Sequence, residues 1–503
     1  MLRAGYSVVA AIDFDSRALR THSHNLGRQV RAFEKDLTKF RPLALADAIG
    51  MDSVDVIVGG PPCQGFSTAR QVDGANSGPR LKPDPRRYLY REFLRYVKHF
   101  GPKVFVMENV PGMRSAAGGA FLTAVQHEAR RIRTRSNGHS YCVHTQLEDA
   151  VSLGVPQNRR RQLVIGVRSD LAGYFPAALS RPSIAPPRVT LGAAIGDLPK
   201  LNAGEGNERS VYDHTARTLH YRTYRGMAQP FLENVLEIRA AAELTAHRAR
   251  PHNARDLRDF GLLHEGESSA VAMRRGVTLE SPYSTKSFKD RYTRQSRYEA
   301  CSTIVAHLGK DGLMFIHPNQ LRSLTPREAA RVQTFPDWFE FPVAKTHQFK
   351  MIGNAVPPLV GRAIGLTIKE FLASQESVQN RVFSLSQPPM ESVRLVNEAC
   401  RINRTDLRKL TEDEFARYWT AVLVMFPDLH PMSAADHGST TYTHASGPGW
   451  QRLRYRRSGW PVALKELLRE GWRRHAKGDL SIEFLLGKVG QPLGRIQRKS
   501  GAA

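Results

Sequence analysis

The chain has 503 residues, 41% of them hydrophobic, and 73 Lys+Arg against 47 Asp+Glu give a formal net charge of +26 at pH 7. That length suggests about three domains of ~150 residues, and the absence of an apolar run of ~18 residues predicts no membrane span. Four scattered cysteines with no CxxC pair, and a start (MLRAGYSVVAAIDFD) whose short apolar patch leads straight into acids, exclude a zinc-ribbon or disulfide-framework reading and a signal-peptide layout and predict a reducing cytoplasm. The arginines are spread along the chain rather than gathered in a tail, and the pI near 10.2 points to a polyanionic partner, nucleic acid by default. Phosphate contacts supply salt-sensitive affinity and little sequence information.

Residues 7–12 (SVVAAI) read as a short strand ending in Asp13-Phe14-Asp15, and 16–25 as a helix. An acid at the end of an early strand is where a nucleotide-type cofactor's ribose hydroxyls are held, whereas an acid directly before a helix caps it; Asp13 is assigned to the first role and Asp15 to the second. A second extended segment, 30–33, leads to Glu34-Lys35-Asp36, where Asp36 is another candidate for a polar cofactor contact, although alone it is only a turn acid. Residues 54–58 read as a buried strand that breaks at Gly59-Gly60-Pro61-Pro62 and delivers Cys63 at its carboxyl end, the side on which open α/β sheets bind ligands. A lone cysteine after an apolar strand is commonly a small core hydrophobe; the Gly-Gly-Pro-Pro turn places this one for access instead. The polar stretch 68–85 has the length of a functional lid.

Residues 87–99 have helical periodicity, with Leu89, Phe93, Tyr96 and Val97 on one side, and 103–107 read as a buried strand ending in Glu108-Asn109-Val110-Pro111. Neighbouring strand ends converge in a parallel sheet with right-handed crossovers, so Cys63 and Glu108 are expected to share a pocket. A helix over 120–133 and a strand over 141–147 precede GVPQNRRR (154–161), a basic run of the kind that commonly forms a solvated face but here leads directly into the strand 162–167, so a site role stands beside that reading. Residues 176–199 are proline-rich and mark a boundary; 204–298 are polar, rich in His and Arg and weakly periodic, which reads as an inserted recognition domain or a partly ordered segment. Order returns at 302–307. Within 321–334, Thr325, Pro326 and Glu328 form a capping-box helix start. Residues 348–358 read as a loop, 359–372 as an apolar helix, and 374–389 as a linker. The rest carries no catalytic constellation, only an amphipathic region (415–425), a Ser/Thr/Gly-rich loop (433–449) and a strongly basic end.

PPCQGFS, MENV, GVPQNRRR, SLTPREAARVQTFP and QFKMIGNAVPP, in this order, resemble the conserved blocks of the bacterial DNA (cytosine-5)-methyltransferases. Any one block is weak; five in order, separated by a variable region, are specific. The resemblance implies an α/β fold, a Rossmann-like S-adenosylmethionine-dependent methyltransferase sheet with an inserted target-recognition domain and a C-terminal extension. The corresponding boundaries are 1–175 for the catalytic domain, 176–300 for target recognition, 301–375 for the return to the catalytic domain, 376–390 for a linker and 391–503 for a basic extension of unassigned role.

By the same resemblance Cys63 is the nucleophile. C5 of cytosine is too weak to take a methyl from a sulfonium unaided, and a thiolate added at C6 makes it an enamine carbon. Glu108 would meet the N3 and N4 edge of the base and protonate N3, a role that calls for a dry pocket. Arg161 would contact O2, and Arg159 would support the loop or a phosphate; a nearby cation also favours the thiolate. The target base must leave the duplex to be reached. On the cofactor side, Asp13 matches the ribose acid, Phe14 the aromatic on the adenine, Asp36 the adenine amino partner, and Leu89 and Asn354 the pocket lining. Ser67, Gln157, Thr303 and Ile304 fall on the DNA side, and no metal is expected. Double-stranded DNA is the implied partner, with a restriction endonuclease or defence-system subunit plausible beside it.

One departure stands out. The family begins with a strand and a glycine-rich FxGxGG loop that cradles the cofactor's methionine part, and Met1-Leu2-Arg3-Ala4-Gly5-Tyr6 resembles the end of the helix just after that loop. Either the start lies at an internal methionine of a longer protein, or the chain is truly shortened and depends on a partner or is catalytically dead. The alternatives to a DNA methyltransferase are therefore a DNA-binding pseudo-enzyme without cofactor affinity, and the same chemistry on tRNA, which the long 161–302 region disfavours.

Overall fold

The computed structural model describes residues 1–62, 85–171, 175–212, 215–238, 243–280, 292–310 and 312–382, and two four-residue strands at 439–442 and 453–456. The chain opens with β1 (Ala10–Asp13), which pairs in parallel with β2 (Arg31–Glu34), Asp13 standing opposite Glu34. Between them runs α1 (Ser16–Leu26), whose N-cap is Asp15 as expected, its carboxylate accepting the Arg17 N–H at 3.1 Å. α2 (Pro42–Ile49) starts on proline and stops at Gly50, whose left-handed φ of 71° lets the chain turn away.

The main sheet has the order β3-β4-β6-β5, formed by β3 (Val56–Gly59), β4 (Val104–Asn109), β5 (Tyr141–Asp149) and β6 (Arg160–Arg168). α3 (Tyr90–Phe100) links β3 to β4, while α4 (Gly112–Ser115) and α5 (Ala120–Arg130) lead to β5. β4 is apolar on both faces, which its VFVM run dictates. Val104 and Val106 pack towards Leu163, Ile165 and the inserted region, and Phe105 and Met107 towards α3 and α5. Gly166 faces Phe105 so closely that a Cβ there would lie 2.0 Å from the ring.

β3 and β4 pair in parallel as expected, and two further features of the sheets were not specified by the sequence. β6 runs antiparallel to both β4 and β5, so the sheet is mixed. In addition, β1 and β2 form a sheet of their own, with no ladder to β3 among the described residues. Side chains bridge the two sheets: Ala10, Ile12 and Phe33 share one apolar cluster with Val54, Ile57, Leu45, Tyr96 and Phe100.

The weakly periodic region after 176 contains α6 (Leu191–Ile195), β7 (Gly206–Val211), α7 (Thr215–Thr223), α8 (Ala228–Pro230), β8 (Glu243–Arg248), α9 (Ala254–Leu262) and α10 (Ser269–Arg274), with β7 and β8 antiparallel. Phe231, Leu232, Leu236 and Leu244 are buried in the same cluster as Val106 and Leu163. The elements are short, and part of the interior is polar (Asp197, His220, His247), which is why no apolar period is visible in the sequence.

Every residue of α11 (Pro326–Val332) is buried, including Arg327, Glu328 and Arg331, and the expected capping box on Thr325 is present. Arg322 grips Glu328 with two bonds of 2.8 and 2.7 Å, and Arg331 spans Asp197 at 2.7 Å and Asp337 at 2.6 Å. Buried ions survive only in such fully bonded pairs. The expected loop 348–358 is largely helical: α12 (Lys345–Asn354) ends at Asn354, and α13 (Pro358–Val382) runs well past 372 into the stretch read as a linker. The stretch Lys345–Ser374 is apolar enough to cross a membrane by length and composition, but more than half of its most apolar part is buried inside the protein, as in a core helix.

Candidate active site

The carboxyl end of β3 is held by the carboxyl end of β4. Asn109 Nδ2 donates to the Pro61 carbonyl at 3.2 Å while its Oδ1 accepts the Val110 N–H at 2.9 Å. One side-chain amide thus ties Gly59-Gly60-Pro61-Pro62 to the end of β4. A Cβ on Gly60 would sit 3.3 Å from Glu108 Oε2, so the glycine lets the turn lie directly against the carboxylate. The convergence expected for the two strand ends is present up to Pro62. Cys63 and Ser67 lie outside the described residues, as does most of the 68–85 stretch.

Glu108 pairs with Arg161, Nε to Oε1 at 2.8 Å, and both side chains keep some exposure. The antiparallel run of β6 produces this pair. Glu108 stands opposite Leu163, two residues after Arg161 on β6, so Arg161 shares its face and lies just beyond the β4 end. A parallel β6 would have carried the same arginine to the opposite edge of the sheet.

Arg159 and Gln157, two and four residues earlier, turn inward instead. Arg159 is 2% exposed. It donates to the carbonyls of Ile304 (2.8 Å), Ala355 (2.9 Å) and Gly353 (3.4 Å). Arg159 was expected to support the loop or a phosphate; here its burial and three carbonyl partners make it a tie between segments. Gln157, expected on the DNA side, is fully buried, its Nε2 donating to Gln333 Oε1 at 2.6 Å and its Oε1 accepting the Ile304 N–H at 3.0 Å. Ile304 is likewise enclosed, whereas Thr303 is half-buried and its hydroxyl donates to the Asn158 carbonyl. Asn109 and Gln333 were not singled out from the sequence; Asn109 follows Glu108 in MENV, and Gln333 lies in the VQTFP end of its block, but neither position reveals its partner.

Three of the candidate cofactor residues, Asp13, Phe14 and Asp36, lie at the carboxyl ends of the β1–β2 pair. Lys35 N–H bonds the Asp13 carbonyl at 3.0 Å, which brings Asp36 alongside Asp13 and Phe14. Phe14 is 72% exposed. Asp36 takes the Thr38 hydroxyl (2.7 Å) and N–H (2.9 Å) on Oδ1, and those bonds hold its carboxyl below the ordinary range. Burial pushes Asp15 upward, but the ammonium of Lys350 at 3.0 Å and the Arg17 N–H outweigh it. This contact anchors α12, which carries the exposed Asn354, against the same corner. Leu89 is half-buried at the start of α3.

Two cysteines can be judged by their surroundings. Cys142 is buried on β5, and Cys301 is fully buried, with burial pushing its thiol far above the ordinary range. A thiol in such a place is inert.

The comparisons agree with this arrangement. Residues 1–370 match the family model of the C-5 cytosine-specific DNA methylases. Among curated relatives, the type II methyltransferase M.DdeI of Desulfomicrobium norvegicum is 32% identical over 403 residues, covering 76% of this chain and 88% of its own. The type II methyltransferase M.Bpa9945I of Bacillus paralicheniformis is 32% identical over 326 residues, covering 64% and 71%. A solved E. coli structure, described as a DNA modification methyltransferase encoded within a prophage, superposes with a TM-score of 0.53 at 25% identity over 74% of this chain and 94% of that one.

Proposed function

The chain belongs to the C-5 cytosine-specific DNA methylase family, and from that premise we propose that it methylates C5 of a flipped cytosine in duplex DNA through a covalent Cys63 adduct, with S-adenosylmethionine as methyl donor. The observation that carries the reading is the pair Glu108–Arg161 set against Gly60 and the Pro61-Pro62 turn, one residue before Cys63. Cys142 and Cys301 are enclosed, which favours Cys63 as the reactive thiol of this site.

In this reading Cys63 Sγ adds to C6 of the base as Glu108 gives a proton to N3, and the electron pair displaced from the C5–C6 bond makes C5 nucleophilic. Arg161 Nη groups bond O2 and keep the ring in place. After C5 has been methylated, its proton passes to a base, the C6–Sγ bond breaks, the proton on N3 is returned, and the thiolate and the aromatic ring are restored. The residues of the β1–β2 corner fit the cofactor: an open aromatic face at Phe14 with the acceptors Asp13 and Asp36 nearby suits an adenosine, and Leu89 and Asn354 are proposed to complete the lining. When bound there, the cofactor supplies an electrophilic methyl carbon on a sulfonium.

The relatives' names support a place in restriction–modification or a related phage-defence system, and the charge of +26 supports a DNA partner. A second reading, a DNA-binding pseudo-methyltransferase, is favoured by one observation: the cofactor corner rests on a two-stranded sheet with no ladder to β3 among the described residues. Titration calorimetry with S-adenosylmethionine separates the two. Binding by the 503-residue chain, with methyl transfer to duplex DNA, supports the enzyme; DNA binding with no cofactor heat selects the pseudo-enzyme.

A further inference from the structure

Two segments that the proposed function assigns to different ligands are joined by a chain of buried amides. Ile304 follows Thr303 at the end of the inserted region, and its N–H donates to Gln157 Oε1 at 3.0 Å. Gln157 Nε2 donates to Gln333 Oε1 at 2.6 Å, and Gln333 Nε2 donates to the Ile352 carbonyl at 2.5 Å, with a longer reach of 3.4 Å to that of Ala355. Each amide gives in the same direction, from the DNA side towards the end of α12, which carries Asn354. Ile304, Gln157, Gln333 and Ile352 are all fully buried, so no water stands in for a lost bond.

The same two segments are gripped a second time. Arg159 holds the carbonyls of Ile304, Gly353 and Ala355. They also touch directly, backbone to backbone: a Cβ on Gly353 would come 2.2 Å from the Val305 carbonyl carbon and 2.3 Å from the Ala306 nitrogen. A shift of Ile352–Ala355 is therefore passed to Thr303–Val305 without slack, because a close-packed joint moves as a unit.

We propose that Gln333, through Gln157, is a positioning residue that couples occupancy of the cofactor corner to the affinity of the DNA-facing segment. Nothing about Gln333 requires it to touch base, DNA or cofactor. Its amide alone joins both the Gln157 side chain and the Ile352 carbonyl, so its loss opens the path at one point while leaving both ligand surfaces in place. The proposal rests on the reading of Asn354 and Thr303 given above. Coupling of this kind is a measurable free energy, and spatial intermediacy by itself does not establish it.

The test is a linkage cycle on the full chain. S-adenosylhomocysteine, which cannot donate a methyl, serves as the cofactor probe, and sheared genomic duplex DNA as the second ligand. In the wild type, saturating S-adenosylhomocysteine is expected to tighten DNA binding by about fivefold or more. In Gln333→Met that ratio falls by about half or more, the remainder being carried by Arg159 and the Gly353–Val305 contact, while binding of S-adenosylhomocysteine without DNA changes by no more than about twofold. Gln162→Met is the control: Gln162 is another buried glutamine, bonded to the Gln146 and Leu163 carbonyls outside this path, and its loss leaves the ratio at the wild-type value. If Gln333→Met does not fold, Gln157→Met interrupts the same path one bond earlier and is held to the same result. An unchanged ratio in the variant, a wild type that binds both ligands independently, or an equal loss in Gln162→Met overturns the coupling and leaves the proposed function standing. A wild type that binds no S-adenosylhomocysteine or no DNA overturns the proposed function, and the coupling falls with it.

Discussion

Arg161 lies across the sheet from Glu108 and pairs with it at 2.8 Å, although the two are 53 positions apart in the chain. The antiparallel β6 makes this possible, and the pair fixes where a planar base edge would be read from two sides. Glu108→Gln keeps the shape and one hydrogen-bond acceptor but cannot give up a proton. The expected result is a fall in kcat of about 10²–10⁴-fold with little change in the melting temperature, measured by methyl incorporation into duplex DNA alongside a thermal melt. A variant with wild-type kcat would remove Glu108 from the proton path.

Gly353 is the point at which α12 meets Val305–Ala306 backbone to backbone. Gly353→Ala must push one segment away, at a cost of roughly 1–3 kcal/mol for an overpacked site. Chemical denaturation should show that loss. A stability equal to wild type would mean that the joint yields freely, and would weaken the argument for rigid transmission as well.

The buried Arg322–Glu328 pair also closes the cap of α11, because Glu328 Oε2 accepts the Thr325 N–H at 2.7 Å. Removing one member strands the other. Glu328→Gln is expected to lower stability by about 3–5 kcal/mol, whereas replacing both Arg322→Met and Glu328→Leu costs less than the sum of the single changes. Urea midpoints of the three variants decide this, and strict additivity would argue that the pair is not coupled.

His144 and His317 are buried at 8% and 4% exposure, and desolvation lowers both from 6.5 to about 4. His317 Nδ1 accepts the Asn319 N–H at 3.2 Å, which requires an unprotonated nitrogen. The folded state resists a proton that the unfolded chain accepts, so stability is full above about 6.5 and is lost as pH falls towards 4, by roughly 3 kcal/mol for each histidine. Glu328 acts in the same direction only below about 4.5: burial raises its pKa, but Arg322 holds the carboxyl far below its ordinary range. Melts between pH 8 and 4 should show the decline beginning near 6.5, and His144→Phe should flatten it in part. A melting temperature independent of pH over this interval would contradict the assignment.

Much of the site was legible in the sequence because its residues sit at strand ends and helix caps, where local rules are strong. Asp15 as a cap, Thr325 with Glu328 as a capping box, and Glu108 at the end of a buried strand all followed from one or two neighbours. What escaped is long-range. Nothing local distinguishes Arg159, which is buried against Ile304 and Ala355, from Arg161, which reaches Glu108; they differ only in the distant segments that meet them. The region after 176 hid its elements because its helices are short and its interior includes charged residues such as Asp197. The direction of β6 was equally invisible, since a strand reads the same either way.

The proposed role of Cys63 as nucleophile is tested most directly in cells. Wild-type chain and Cys63→Ser are expressed in a host without cytosine-C5 methylation, and the host DNA is digested to nucleosides and analysed by mass spectrometry. The account predicts 5-methylcytosine with the wild type and none with Cys63→Ser at equal soluble protein. 5-Methylcytosine at wild-type level in Cys63→Ser, or none with the wild type, would contradict it.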